Sequence, residues 1–261
     1  MLTRPLLLLP IFLACAAPLA AQGIIVPVRC AGECAPRALS VDSVDVWSNL
    51  EHGTAATYVD HVFRNGTGSV IDGAFFFPLP ADAVLTRVAL REGDELELYN
   101  EWSGPDESRW ILEGIVRERR DARLGAYAGM NVVHVRVPSI PAHGVQHLQI
   151  AYTQPLRAED GVIAWRYPLT AGAAPAGHLT LGMTIKTEAG FRAIASTSHT
   201  VDVQWGMEPG PCRPQERCGT RGYPSERVRV VRLLPALRAW AQDFELVYTP
   251  KDSTGRSVSV P

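Results

Sequence analysis

His143 and His147 stand four residues apart, a spacing that on a helix brings two imidazoles to one face and lets them share a metal ion. Pro141 and Gly144 lie between and beside them, and such residues mark a turn leading into a strand that begins near Gln146. Both therefore read as loop histidines. Ser196, Ser198 and His199 form a second candidate, because a histidine beside hydroxyls can act as general base toward a serine nucleophile. The usual companions of that chemistry are missing: Gly66-Thr67-Gly68-Ser69 does not meet the Gly-x-Ser-x-Gly elbow. Neither a P-loop, a dinucleotide fingerprint nor His-Glu-x-x-His occurs. The reading is a non-catalytic protein with no cofactor and no metal site; a secreted hydrolase or carbohydrate-acting enzyme on a β-sandwich stays the alternative. Asn65-Gly66-Thr67 has the form of a glycosylation sequon.

The five cysteines bear on compartment. Met1 to Arg4 is short and positive, Leu6 to Leu13 is almost wholly apolar, and Ala14 to Ala21 is small, the three-part layout of a secretory signal peptide over residues 1–21. Cys15 leaves with it, although Phe12-Leu13-Ala14-Cys15 also resembles a lipoprotein processing site. Cys30, Cys34, Cys212 and Cys218 remain, an even number that in an oxidising compartment predicts two disulfides. Cys212 with Cys218 and Cys30 with Cys34 is the pairing preferred among three. The expected location is secreted, periplasmic or cell-surface, and no second stretch is apolar enough to span a membrane.

Of the 261 residues, 46% are hydrophobic and 20% charged, with a formal net charge of −2. These values describe a globular chain with a real core and no basic face for nucleic acid. Period-2 alternation recurs at Val133–Val137, Leu148–Tyr152, Leu179–Ile185, Val201–Trp205, Val228–Val230 and Phe244–Tyr248. That pattern predicts half-buried antiparallel strands with one wet face. Breakers fall at Asn65–Gly68, Ser103–Asp106, Pro138–Gly144 and Glu208–Pro211. His61 and His134 are placed on the polar phase of their strands. Ile115 to Tyr127 reads as the one helix, with Arg117, Arg119, Arg120 and Arg123 on its solvated side. The fold class expected is all-β and mainly antiparallel: a β-sandwich with one short helix, followed by a second, smaller β unit. The divisions are a Cys-containing segment at 22–37, a first domain at 38–170, an Ala-, Gly- and Pro-rich linker at 171–177, the second unit at 178–250 and a tail at 251–261.

Val62 to Pro80 reads V-F-R-N-G-T-G-S-V-I-D-G-A-F-F-F-P-L-P. It resembles the signature of VIT domains, shared by vault proteins and inter-alpha-trypsin inhibitor heavy chains, through Phe63, Asn65, Phe77, Pro78, Leu79 and Pro80. Gly114, Val116, Glu118 and Ala122 are similar to the family's helix motif. Val137 to Gly144 with a strand ending in Tyr152 is similar to its Ile-Pro-x-x-Gly turn. Ser196-Thr197-Ser198-His199, Asp243 and Phe244 resemble elements that follow many such domains, which makes a structural turn the better reading of His199. The resemblance implies a VIT-like β-sandwich acting as a protein-interaction, adhesion or scaffolding module. Most relatives continue into a von Willebrand A domain, whose Asp-x-Ser-x-Ser metal motif is absent from this sequence. The implied partner is a protein, such as a von Willebrand A protein encoded separately; the alternatives are a short form of the chain or an envelope lipoprotein.

Overall fold

The computed structural model describes residues 23–30, 32, 35–80, 82–93, 95–119, 122–125, 127, 129–169, 177–209, 222–235 and 242–251. The expected signal peptide, Cys34, Cys212, Cys218, most of the expected linker and nearly all of the tail lie outside them.

The elements run β1 (Ile24–Arg29), β2 (Leu39–Glu51), β3 (Thr54–Asn65), β4 (Ile71–Pro78), β5 (Val84–Glu92), β6 (Glu95–Leu98) and β7 (Trp102–Ser103). Two helices follow, α1 (Pro105–Arg119) and the single turn α2 (Ala122–Gly125). Next come β8 (Val132–Ile140), β9 (Val145–Pro155), β10 (Ala158–Glu159), β11 (Val162–Tyr167), β12 (His178–Lys186), β13 (Phe191–Ser196), β14 (Val201–Pro209), β15 (Gly222–Leu233) and β16 (Phe244–Pro250).

The protein is mostly β, and among the described residues its strands form three sheets. The largest has the order β14-β15-β12-β2-β3-β9-β5-β6; the others are β1-β4-β8-β7 and β10-β11-β16-β13. Among the described residues every pairing is antiparallel except β12 with β2, which run parallel from His178 opposite Ser43 to Ile185 opposite Leu50. The unit expected at 178–250 is thus joined by backbone hydrogen bonds to the strands before residue 170. No local alternation announces such a pairing, because a parallel partner is reached only through a long crossover.

One face of the large sheet packs on both smaller sheets. Val46, Leu50, Val59, Phe63, Ile150, Met183 and Val231 meet Phe75, Phe77 and Val135 of one small sheet and Trp165, Phe244 and Leu246 of the other in a single core. Period-2 alternation drives this, since each strand has one apolar row to bury. A second core lies on the far side of β4, where Phe76, Ala74, Ile24, Val26 and Val132 meet Leu112 of α1, Leu124 of α2 and Tyr127.

Two sequence expectations need correcting. The helix spans Pro105–Arg119 with a separate turn at Ala122–Gly125, so it begins ten residues before the expected Ile115. Ser103-Gly104-Pro105-Asp106 is a helix start and not merely a breaker. Pro105 fits the first helical position, where no N–H is needed, and Asp106 and Glu107 complement the positive end of the helix. His61 lies on the buried phase of β3, fully enclosed, with ring contacts to Phe63, Phe75 and Phe77. Val62 and Phe63 are both apolar, so the phase of this strand was ambiguous in the sequence.

His134 does occupy the outward phase of β8, but α1 covers that face. Its ring lies 5.2 Å from Phe76, and its backbone N–H donates to Ser108 Oγ at 2.8 Å. Ser108 in turn donates to Ser103 O at 2.7 Å, tying the helix start to the sheet. Burial holds the His134 imidazole below its ordinary 6.5, with Glu107 opposing that effect. A histidine whose pKa is lowered on folding stabilises the fold fully above its unfolded value and loses that contribution as pH falls through the interval below it. Resistance to denaturant should therefore fall as pH drops below about 6.5. His134→Gln should flatten that slope, leaving the part due to His147, which burial also lowers. An unchanged slope in the variant would contradict the assignment.

Candidate functional site

The family-signature residues build a scaffold. Phe77 on β4 is 1% exposed and touches Phe75, His61 and Tyr152, the last at a ring distance of 6.1 Å. Pro78 closes β4 opposite Val132, Leu79 N–H donates to Asn131 O, and Asn131 Nδ2 reaches Leu79 O and Pro80 O. Asn65 at the end of β3 is buried. Its Nδ2 donates to Ser69 O and Ile140 O, while its Oδ1 accepts from Thr67 N–H and Oγ1–H. An Nδ2 so placed has no room for a glycan, so the sequon does not act as one in this fold. Gly114 and Glu118 lie on the exposed side of α1 and Val116 packs on the second core; Ala122 opens α2.

Ser196, Ser198 and His199 close the turn after β13 against the start of β16. Ser196 Oγ donates to Glu245 O at 2.7 Å and accepts from His199 N–H. Glu245 N–H donates to Ser198 Oγ at 2.8 Å, and the same hydroxyl lies 2.8 Å from His199 Nδ1. The His199 ring packs on Phe244, and Asp243 Oδ1 accepts from Leu169 N–H. Hydrogen bonds from Thr197 and then Arg166 hold the Glu245 carboxyl below its usual range. Both serine hydroxyls are thus engaged by the backbone of β16, an arrangement that clasps two strands.

His143 sits in a turn with φ 51° and donates its N–H to Thr67 O, whereas His147 is on β9. They are not on one helical face. Among the described residues no group of three His, Cys, Asp or Glu is placed to hold a metal, and no helix is long and apolar enough to cross a membrane. Cys30 packs beside the main core.

The surface feature that sequence reasoning missed is β14, at the end of the large sheet. Val203 lies opposite Val231 and Trp205 opposite Arg229, so these side chains continue the apolar inner face of the sheet beyond the sandwich. Val203 is 40% exposed, and Trp205 and Met207 are each 57% exposed. The Trp205 ring is fixed from behind: the Arg229 guanidinium lies 3.7 Å from its centroid and 5.3 Å from that of Phe191. Arg229 Nη1 also donates to Ser225 O and Val228 O. The alternation of Val201, Val203 and Trp205 was readable; that the strand is last in its sheet was not, because sheet order is a long-range property.

Residues 41–152 match the family model of the Vault protein inter-alpha-trypsin domain, VIT. No curated protein matches the chain. Among solved structures, a protein described as nutrient-binding from Legionella pneumophila is 13% identical, with a TM-score of 0.43, covering 87% of this chain and 71% of that one. The aminopeptidase A of Legionella pneumophila is 11% identical, with a TM-score of 0.41 over 81% of this chain. An M1 zinc metallopeptidase of Deinococcus radiodurans is 10% identical, with a TM-score of 0.38 over 80% of this chain. The chain spans only 21% and 42% of the lengths of these two peptidases.

Proposed function

We propose, starting from the VIT domain that residues 41–152 form, that this protein is an exported, non-catalytic interaction module which presents the outer edge of β14 to a protein partner. One observation carries the reading: a nine-residue edge strand with three exposed apolar side chains, Val203, Trp205 and Met207. An edge strand offers a row of backbone donors and acceptors to an incoming strand, and its alternate side chains supply selectivity. A rigid aromatic ring loses little freedom on binding, and the Arg229 stack holds Trp205 in that condition. The wider scaffold suits the role. The signature residues Phe63, Phe77 and Tyr152 are spent on the core, and the Ser196–His199 turn is spent on clasping β13 to β16.

Export rests on the N-terminal zones and the even cysteine set, which suits an oxidising compartment. The mature chain should begin at Gln22, and intact Met1 on a cytoplasmic product would refute export. The interaction reading is tested by placing a photo-crosslinking residue at Gln204 on the edge and, as control, at Glu118 on the exposed side of α1. Discrete protein adducts at position 204 that vanish with Val203→Lys are expected. Adducts no different from those at position 118 would end the reading.

A further inference from the structure

The sheet edges of the described residues are unequal. β7 and β10 have two residues each, and β6 has four, two of them glutamate. β1 carries Pro27 and an irregular register beside it, and β13 has a register shift next to Arg192. Shortness, proline, charge and bulges are the means by which proteins keep edges from pairing. β14 has nine residues. Its one register shift, between Trp205 and Gly206, leaves the extra residues on β15 between Ser225 and Arg229, and Val201–Trp205 pairs with β15 without interruption.

The sequence of this strand, Val201-Asp202-Val203-Gln204-Trp205-Gly206-Met207-Glu208-Pro209, states what an antiparallel partner must offer. It must place apolar residues opposite Val203 and Trp205 and keep carboxylates away from Asp202. β14 meets those terms itself. A two-fold axis normal to the sheet at Gln204 sets Val203 opposite Trp205 of a second copy, Val201 opposite Met207 and Asp202 opposite Gly206. Cross-strand aromatic and β-branched pairs of this kind are favourable, whereas like charges directly opposite are not. Moving the axis to Trp205 puts Asp202 opposite Glu208 twice; moving it to Val203 shortens the paired stretch. Because the axis keeps each face on its own side, both copies' Val203 and Trp205 side chains join in one apolar row.

We propose that the occupant of the β14 edge is the β14 of a second copy of this chain, joining two large sheets in one isologous dimer with Gln204 on the two-fold axis. This rests on the reading of β14 as the interaction edge and names its partner. Sedimentation of the purified full chain should show a reversible, concentration-dependent dimer, and Val203→Lys should leave a monomer whose thermal unfolding midpoint equals that of wild type at dilutions where wild type is monomeric. Directly opposed Cα atoms lie roughly 4.5–5.5 Å apart, within reach of a disulfide. Gln204→Cys should therefore give a covalent dimer on oxidation, and Asp202→Cys, displaced by about four residues from its own copy, should not. A chain that stays monomeric to roughly 100 μM, a dimer that survives Val203→Lys, or a link at position 202 and not at 204 would each overturn the proposal. If the chain is monomeric while position 204 captures a different protein, self-pairing falls and the interaction edge stands; if neither occurs, both fall.

Discussion

Phe77→Ala should lower the unfolding free energy by about 3–5 kcal/mol, the range for removing a buried aromatic ring whose surroundings cannot close in. Phe77 is 1% exposed, and its ring is held on three sides by His61, Phe75 and Tyr152 at 5.7, 6.3 and 6.1 Å. Those neighbours come from three different strands in two sheets, so relaxation of any one element leaves the others in place and a cavity persists. The loss is of the same order as the whole margin of a typical domain, about 5–15 kcal/mol. Val84→Ala, at a side chain 64% exposed, should by contrast change stability by no more than about 0.5 kcal/mol. Equilibrium urea unfolding of both variants checks the difference; a Phe77→Ala curve lying on the wild type would mean that β4 does not seat this ring in the core.

The alternation that exposes Phe77 to such an argument was legible in the chain itself. Phe75 and Phe77 share a face, Pro78 and Pro80 limit the strand, and the all-β character follows from runs of the same kind. What stayed hidden is of one physical type. His61 and Val62–Phe63 leave two phases open until the facing sheet chooses one, and His134 occupies a polar phase that only a covering helix can bury. Pro105 reads as a breaker unless the residues after it are known to pack on β8. The parallel pairing of β12 with β2 and, among the described residues, the edge position of β14 depend on sheet order, which strands far apart in the chain decide. Local pattern fixes which residues want burial; which neighbour buries them is settled by assembly. For the same reason the surface proposed to carry function lies outside the signature: Trp205 and Arg229 belong to the strands after the VIT match.

The second large effect is expected at Asn65, where the signature and the hydrogen bonding coincide. Asn65→Ala should cost about 3–4 kcal/mol, since it strands the Thr67 N–H and the carbonyls of Ser69 and Ile140 that Asn65 now satisfies, at roughly 1–3 kcal/mol for each buried polar group left without a partner and less where water reaches the turn. The residue is needed because it donates and accepts at once. Its Oδ1 closes the turn through Thr67, in the manner of an Asx turn, while its Nδ2 crosses to the end of β8 at Ile140 and fixes where that strand meets β3. Asn65→Asp separates the two duties. The carboxylate can still accept from Thr67, but its other oxygen would face two carbonyl oxygens, and a buried unpaired charge is costlier than a missing group. Thermal and denaturant unfolding should therefore rank wild type well above Asn65→Ala, with Asn65→Asp no better than the alanine variant near neutral pH and partly recovered as the pH is lowered toward the carboxylate range, where a protonated acid can donate again. If Asn65→Asp instead matched wild type at neutral pH, the donation to Ile140 would carry no weight, and the turn at residues 65–69 would be held by its own backbone alone.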